Sequence, residues 1–267
     1  MKKYYSFFKM RFISGLQYRA AAWAGVATQF AWGFMNILLF HAFYKSNPDA
    51  FPMGFKQLSS YIWLQQAFLT LFMTWLMETD IFTLITDGGV AYELCRPADL
   101  YGMWFARNMA ARMSRAFLRC VPVLVVSSLL PAPYGLSLPS GVTAAILFIP
   151  SLLLGLLVAV AFCMLIYIST FYTMSPQGIR ILATSAVELL SGGIVPLPFL
   201  PDGIRQVFEA LPFASMQNVP LRIYCGNISG SDAVISLSLQ IFWAAAMTIG
   251  GWLLMKKALT RVVVQGG

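Results

Sequence analysis

Six stretches of this chain are apolar for long enough to enter or cross a bilayer, and that repetition constrains the fold more than any other feature. A helix needs about 20 apolar residues to span roughly 30 Å of hydrocarbon. The candidates are residues 20–44, 59–77, 110–130, 142–171, 179–195 and 234–255. In 267 residues they leave no room for a separate soluble catalytic domain. With 10% charged and 59% hydrophobic residues the chain lies far from soluble domains, whose charged share is about a quarter. The expected fold is a single all-α integral membrane domain, residues 1–267, with six transmembrane helices.

The basic residues divide unevenly between the two sides of such a bundle. Lys2, Lys3, Lys9, Arg11, Arg19, Arg96, Arg107, Arg112, Arg115, Arg119, Arg180, Lys256, Lys257 and Arg261 fall on one side; Lys45, Lys56, Arg205 and Arg222 fall on the other. Positive segments are retained in the cytoplasm, so both termini are expected there, in a plasma (cytoplasmic, or inner) membrane. The net charge of +8 then reflects topology and attraction to anionic membrane lipid, with no basic and aromatic pattern pointing to nucleic acid. The first residues lack a clean apolar core and a small-residue cleavage site, so no cleaved signal peptide is expected. Cys95, Cys120, Cys163 and Cys225 fall at different depths and sides, and no disulfide or metal site is expected from them.

Residues 1–19 mix Tyr4, Tyr5, Phe7, Phe8 and Phe12 with five cations and read as an interfacial helix at the inner surface. It is either an elbow that moves with the bundle or a topology anchor. The segment 78–106 is the most charged in the chain. Residues 81–85 extend the second span as helix, Asp87-Gly88-Gly89 breaks it, and Pro97 opens a second short helix. That shape suits a knob for a partner protein, or else a solvated loop.

The third span recruits Arg112, Arg115 and Arg119 on one helical face with Asn108, a face that should look into the bundle or towards the cytoplasmic surface. Snorkelling to headgroups would serve Arg112 and Arg115, and is strained for Arg119. In the fifth span Glu188 sits roughly 12 to 14 Å from the inner end, and Arg119 about 16 Å below the outer end of its own helix. Equal depth suggests an Arg119 to Glu188 ion pair. Ser185, Glu188 and Gly192 form a small, polar stripe that either packs helix on helix or lines a transport path. His41 is a headgroup-level polar residue or a proton relay, and Asn227-Ile228-Ser229 fits a glycosylation acceptor.

Residues 196–233 contain Pro196, Pro198, Pro201 and Pro212. Pro198 to Leu211 is too short and polar to cross, and reads as a re-entrant or interfacial element on the outer side. No phosphate-binding loop of the form Gly-x-x-x-x-Gly-Lys-Ser/Thr is present, and no catalytic or metal constellation stands out.

Two stretches carry a family resemblance. Gly89, Glu93, Leu94 and Pro97, in the sequence Tyr92-Glu-Leu-Cys-Arg-Pro97, and the ordered set Pro196, Leu200, Pro201, Leu211, Pro212, Leu221 and Arg222 resemble the permeases of ABC type-2 (type V) exporters, especially the Glu-Leu-Leu-Arg-Pro subgroup. The departures are Cys95 where a second Leu is usual and the Arg-rich start of the third span. The resemblance implies that Glu93, Leu94, Arg96 and Pro97 form a cytoplasmic coupling helix between spans two and three, seated on a separate ATPase present in two copies. ATP and Mg would be bound there, and no cofactor in this chain, which would itself be no enzyme. It implies further a re-entrant gate around Pro196, Pro198, Pro201 and Pro212, and a second permease, giving a homo- or heterodimer. The implied activity is outward transport of an amphipathic substrate such as a drug, peptide or lipid. The alternative from another class is an ion-coupled secondary transporter driven through Glu188.

Overall fold

A computed structural model describes residues 2–173 and 175–260; Arg261, counted above among the retained cations, lies outside them. All described secondary structure is helical. Its order is α1 (Lys2–Gly15), α2 (Arg19–Ser46), α3 (Phe55–Ala67), α4 (Leu69–Phe72), α5 (Thr79–Thr86), α6 (Val90–Leu94), α7 (Leu100–Leu129), α8 (Val142–Thr173), α9 (Gln177–Leu190), α10 (Asp202–Ala210), α11 (Asn218–Cys225) and α12 (Gly230–Leu259).

The centre of the molecule is α8, the most apolar of the long helices. At 32 residues it extends about 48 Å, more than a bilayer core requires. It packs against α12, α11, α7, α5 and α4. Its first turns share a cluster with Val219, Ile223 and Ala233, and its last turns one with Ile81, Phe82, Val90, Leu100, Trp104 and Met255. Helices α8 and α12 therefore run parallel, with α11 at one end of the bundle and the α5–α6 segment at the other.

Helices α2, α8 and α12 coincide with the first, fourth and sixth expected spans and are long and apolar enough to cross a membrane. The other three depart from expectation. The second is split at Phe68 into α3 and the single turn α4, and residues 73–78 are not helical, so α5 does not extend that span. The third begins at Leu100, ten residues earlier than expected, because Asp99 Oδ2 accepts a bond from Gly102 N (2.8 Å) and starts the helix there. The fifth is a helix of 14 residues, about 21 Å long, with Val187 its one buried side chain.

Helix α1 lies along α7 and runs in the same direction. Tyr4 meets Gly102 at the first end, and Gly15 faces Ser114 at the other, where a Cβ on the glycine would come within 2.2 Å of the serine hydroxyl. Beyond α9, helix α10 buries no residue, which fits the interfacial alternative for Pro198 to Leu211, whereas residues 214–221, later in the same 196–233 region, are buried and α11 packs on α8 and α3. Helix α11 is buried on opposite sides, with Val219 and Ile223 in one apolar cluster and Leu221 and Cys225 in another, whereas the amphipathic α10 stays at the surface.

The close approach of this segment to α8 depends on Gly155, where an added Cβ would stand 2.1 Å from the Met216 carbonyl oxygen. Backbone cannot yield as a side-chain tip can. Gly155→Ala is expected to cost about 3 kcal/mol and lower the melting temperature in detergent by about 10 °C. Gly250→Ala, on a surface with nothing within 4 Å, should leave it unchanged. The adjacent Gly251 packs on Tyr101. His41 belongs to an aromatic cluster, with ring centroids 5.1 Å from Phe55 and 5.3 Å from Tyr134. The Asn227 side chain accepts from Arg222 Nε (2.7 Å).

Candidate functional site

The charged segment after α4 is a short helix, a break and a second short helix, as its sequence pattern suggests, but the second helix is α6 and precedes Pro97. Gly88, at φ +75°, makes the reversal that a side chain would strain. Val90 then enters the core at 1% exposure and fixes the rotation of α6. On the opposite side Tyr92 is 82% exposed, with Leu94, Cys95, Arg96 and Pro97 also at the surface. Glu93 is bound to Arg96 at 3.2 Å, one turn on, so the carboxylate braces the turn that carries Pro97. Tyr92 was legible only as part of the motif; its exposure makes it the principal apolar feature of this knob.

The mount under the knob is held from three directions. Lys3 Nζ donates to the Pro97 carbonyl (2.7 Å), and the Asp99 N–H donates to Tyr4 Oη (3.1 Å), which ties the start of α7 to α1. From α8, the Tyr167 ring makes a tilted contact with Phe82 at 4.8 Å, and its hydroxyl accepts from Glu78 N (2.7 Å) and Asn108 Nδ2 (3.3 Å). The segment that carries α6 is thus held to α1 and α8 by hydrogen bonds on either side of it and to α7 and α8 by the packing of Val90.

The arginine face of α7 turns inward, as its spacing implied, yet the partners are not those expected. Arg112 is wholly buried and does not snorkel: Nη1 donates to the carbonyls of Leu71 (3.0 Å) and Met73 (2.7 Å), and Nη2 to Cys163 Sγ (3.1 Å). The break after α4 frees those carbonyls, and Arg112 satisfies them. Arg107 binds Asp80 (2.5 Å) and Glu78 (3.5 Å), and Arg115 binds Glu78 (3.0 Å).

Arg119 and Glu188 are not brought together. Arg119 lies against α2, where Nη2 reaches the Ala21 carbonyl at 3.5 Å and Gly25 makes room for the guanidinium. Glu188 is half-buried on α9 and belongs to none of the ion pairs among the described residues. Counting helix rise assigns each group a height but not the direction it faces around its helix. Ser185 is exposed and Gly192, buried at φ +79°, ends α9.

Two glutamines unremarked in the sequence hold that end in place. Gln65 Nε2 donates to the Gly193 carbonyl (2.8 Å), and Gln217 Nε2 donates to Ser191 Oγ (3.2 Å). The signal for Gln65 was a pair of amides, Gln65 and Gln66, inside an apolar run; Gln217 carried none. Of the four prolines, Pro196 and Pro198 are buried beside this junction, Pro212 is half-buried and Pro201 is exposed at the start of α10. Arg222 pairs with Glu209, fastening α11 to α10.

The described helices form an apolar bundle with a braced, partly apolar knob at one end. The chain belongs to the ABC-2 family of transporter proteins, whose model matches residues 30–266. No curated protein matches it.

Proposed function

We propose that this chain is the permease subunit of an ATP-driven exporter. It couples a separate ATPase, in two copies, to outward movement of an amphipathic substrate, as part of a homo- or heterodimer with a second permease. The observation that carries the reading is the knob at residues 90–97: Tyr92 and Leu94 are exposed outside, while inside Val90 packs among α7 and α8 side chains and the Pro97 carbonyl is bonded to Lys3 of α1. An exposed tyrosine on a rigid mount is the kind of residue that anchors a protein interface. Closure of the ATPases would push on Tyr92 to Pro97, and α7 and α8 would carry the displacement through the bundle.

Six crossings remain the proposed topology. The arginines of α7 have internal partners, which removes the main cost of placing that helix in hydrocarbon. The split α3–α4 and the short α9 would enter the membrane where other protein covers them. Thirteen of the basic residues expected to face the cytoplasm are described, and the helices that carry them meet at the α6 end, which supports a cytoplasmic knob and cytoplasmic termini. Helix α9 supports the second permease. Ile181, Leu182 and Leu189 are exposed beside a half-buried Glu188 that has no ion pair among the described residues, a face better suited to a partner or a wetted path than to lipid.

The test is purification of the tagged chain from its native membrane in mild detergent. A stoichiometric P-loop ATPase should copurify, and Glu93→Ala/Pro97→Gly should release it. A chain that purifies alone, and moves substrate in ATP-depleted vesicles until Glu188→Gln is introduced, would overturn the reading in favour of an ion-coupled carrier.

A further inference from the structure

Between the end of α1, the start of α2 and the middle of α7 lies a cavity of about 390 Å³ that the coupling mechanism does not use. Four arginines line it, Arg11, Arg107, Arg115 and Arg119, against two carboxylates, Glu78 and Asp80. The carboxylates are already taken by Arg107 and Arg115. Arg11 and Arg119 form no ion pair among the described residues, and the Nε of each is buried without a hydrogen-bond partner. Arg11 rests over the Phe7 ring at 5.5 Å, and Arg119 has only the long contact to Ala21. Gly25 is required for this arrangement, since a Cβ there would stand 2.3 Å from Arg119 Cζ.

Two uncompensated guanidiniums facing one cavity, with the exposed Ser14 and Tyr18 on its wall, make a site for a tetrahedral oxyanion. The flanks are apolar: Ala21, Ala22 and Leu118 line the cavity, and Trp23 and Phe117 are exposed nearby on α2 and α7. A phosphate with acyl chains satisfies both halves, and basic pockets between helices on the cytoplasmic side bind such headgroups. We propose that this cavity binds the phosphate of an anionic phospholipid headgroup between Arg11 and Arg119, clamping the α1–α2 elbow to α7.

The experiment titrates the full chain, in zwitterionic micelles at fixed ionic strength, with short-chain phosphatidylglycerol, short-chain phosphatidylcholine and inorganic phosphate, reading thermal stabilisation. Phosphatidylglycerol should bind saturably and phosphatidylcholine should not. Arg11→Gln and Arg119→Gln should each weaken binding about fivefold. Ser14→Asp places a carboxylate in the cavity without touching either guanidinium, and should weaken binding even if Arg119→Gln fails to fold. Lys256→Gln/Lys257→Gln, which removes two exposed cations on α12, should change nothing. Equal binding of inorganic phosphate, with the same dependence on Arg11 and Arg119, would support the oxyanion site and assign its source to a soluble phosphate. Wild-type affinity in the Ser14→Asp and Arg11→Gln variants, or an equal loss in the lysine variant, would overturn the proposal.

Discussion

Arg112→Ala is expected to lower the melting temperature of the detergent-solubilised protein by 10 °C or more, the largest stability effect of any single side-chain truncation argued from this fold. Two terms oppose each other. Removing a buried cation relieves its desolvation, and for that reason a buried charge is weak evidence of stability. Here, however, the guanidinium binds the carbonyls of Leu71 and Met73, which have no water to turn to once it is gone. Each orphaned carbonyl costs about 1–3 kcal/mol, and the vacated volume beside Cys163 adds a cavity term. The sum is about 3–5 kcal/mol, which at this chain length corresponds to about 10 °C or more. Arg112→Met separates the terms, because it refills much of the volume and leaves the carbonyls unpaired; it should recover only part of the loss. Full recovery in the methionine variant would show that the carbonyl bonds contribute nothing. Thermal scans followed by size-exclusion chromatography decide between these outcomes.

Tyr92→Ala/Leu94→Ala should leave the melting temperature within about 1 °C of wild type yet weaken binding of the copurifying ATPase at least 30-fold. Tyr92 is 82% and Leu94 43% exposed, so truncation removes little internal packing and should lie within the usual range for surface changes, about 0.5 kcal/mol. A tyrosine at the centre of an interface contributes about 2 kcal/mol or more, and 1.4 kcal/mol is a factor of ten. Glu93→Ala should act differently, because its carboxylate braces Arg96 and is itself mostly covered. Its defect should appear in coupling efficiency as the turn at Pro97 loosens. The measurement is the dissociation constant for the ATPase on immobilised permease, with ATP hydrolysis by the complex as the second readout. Binding unchanged in the Tyr92/Leu94 variant would place the ATPase contact elsewhere on the chain.

Much of the candidate site was legible from local pattern. The break at Asp87-Gly88-Gly89 was legible, but the short helix after it, α6, precedes Pro97 where the sequence placed it after that proline, and α5 stands apart from the second span that it was expected to extend. The inward-facing arginines of α7 follow from spacings of three and four. What they bind did not follow. Arg112 reaches carbonyls freed where α4 ends, and no residue in that apolar run marks the end. Arg119 and Glu188 share a depth by counting residues, but helix rise gives height and says nothing of rotation about the axis.

The sequence by itself determined the long apolar helices α2, α8 and α12, the gathering of basic residues towards one side, and the charged break after the second apolar run. Each depends on composition within one or two turns of helix. Only the tertiary structure decided that α11 packs inward while α10 stays on the surface, that Arg112 caps α4, and that Arg119 turns towards α2. Those outcomes depend on which helices are neighbours and how each is rotated, and a buried polar group takes whichever partner that packing brings within reach.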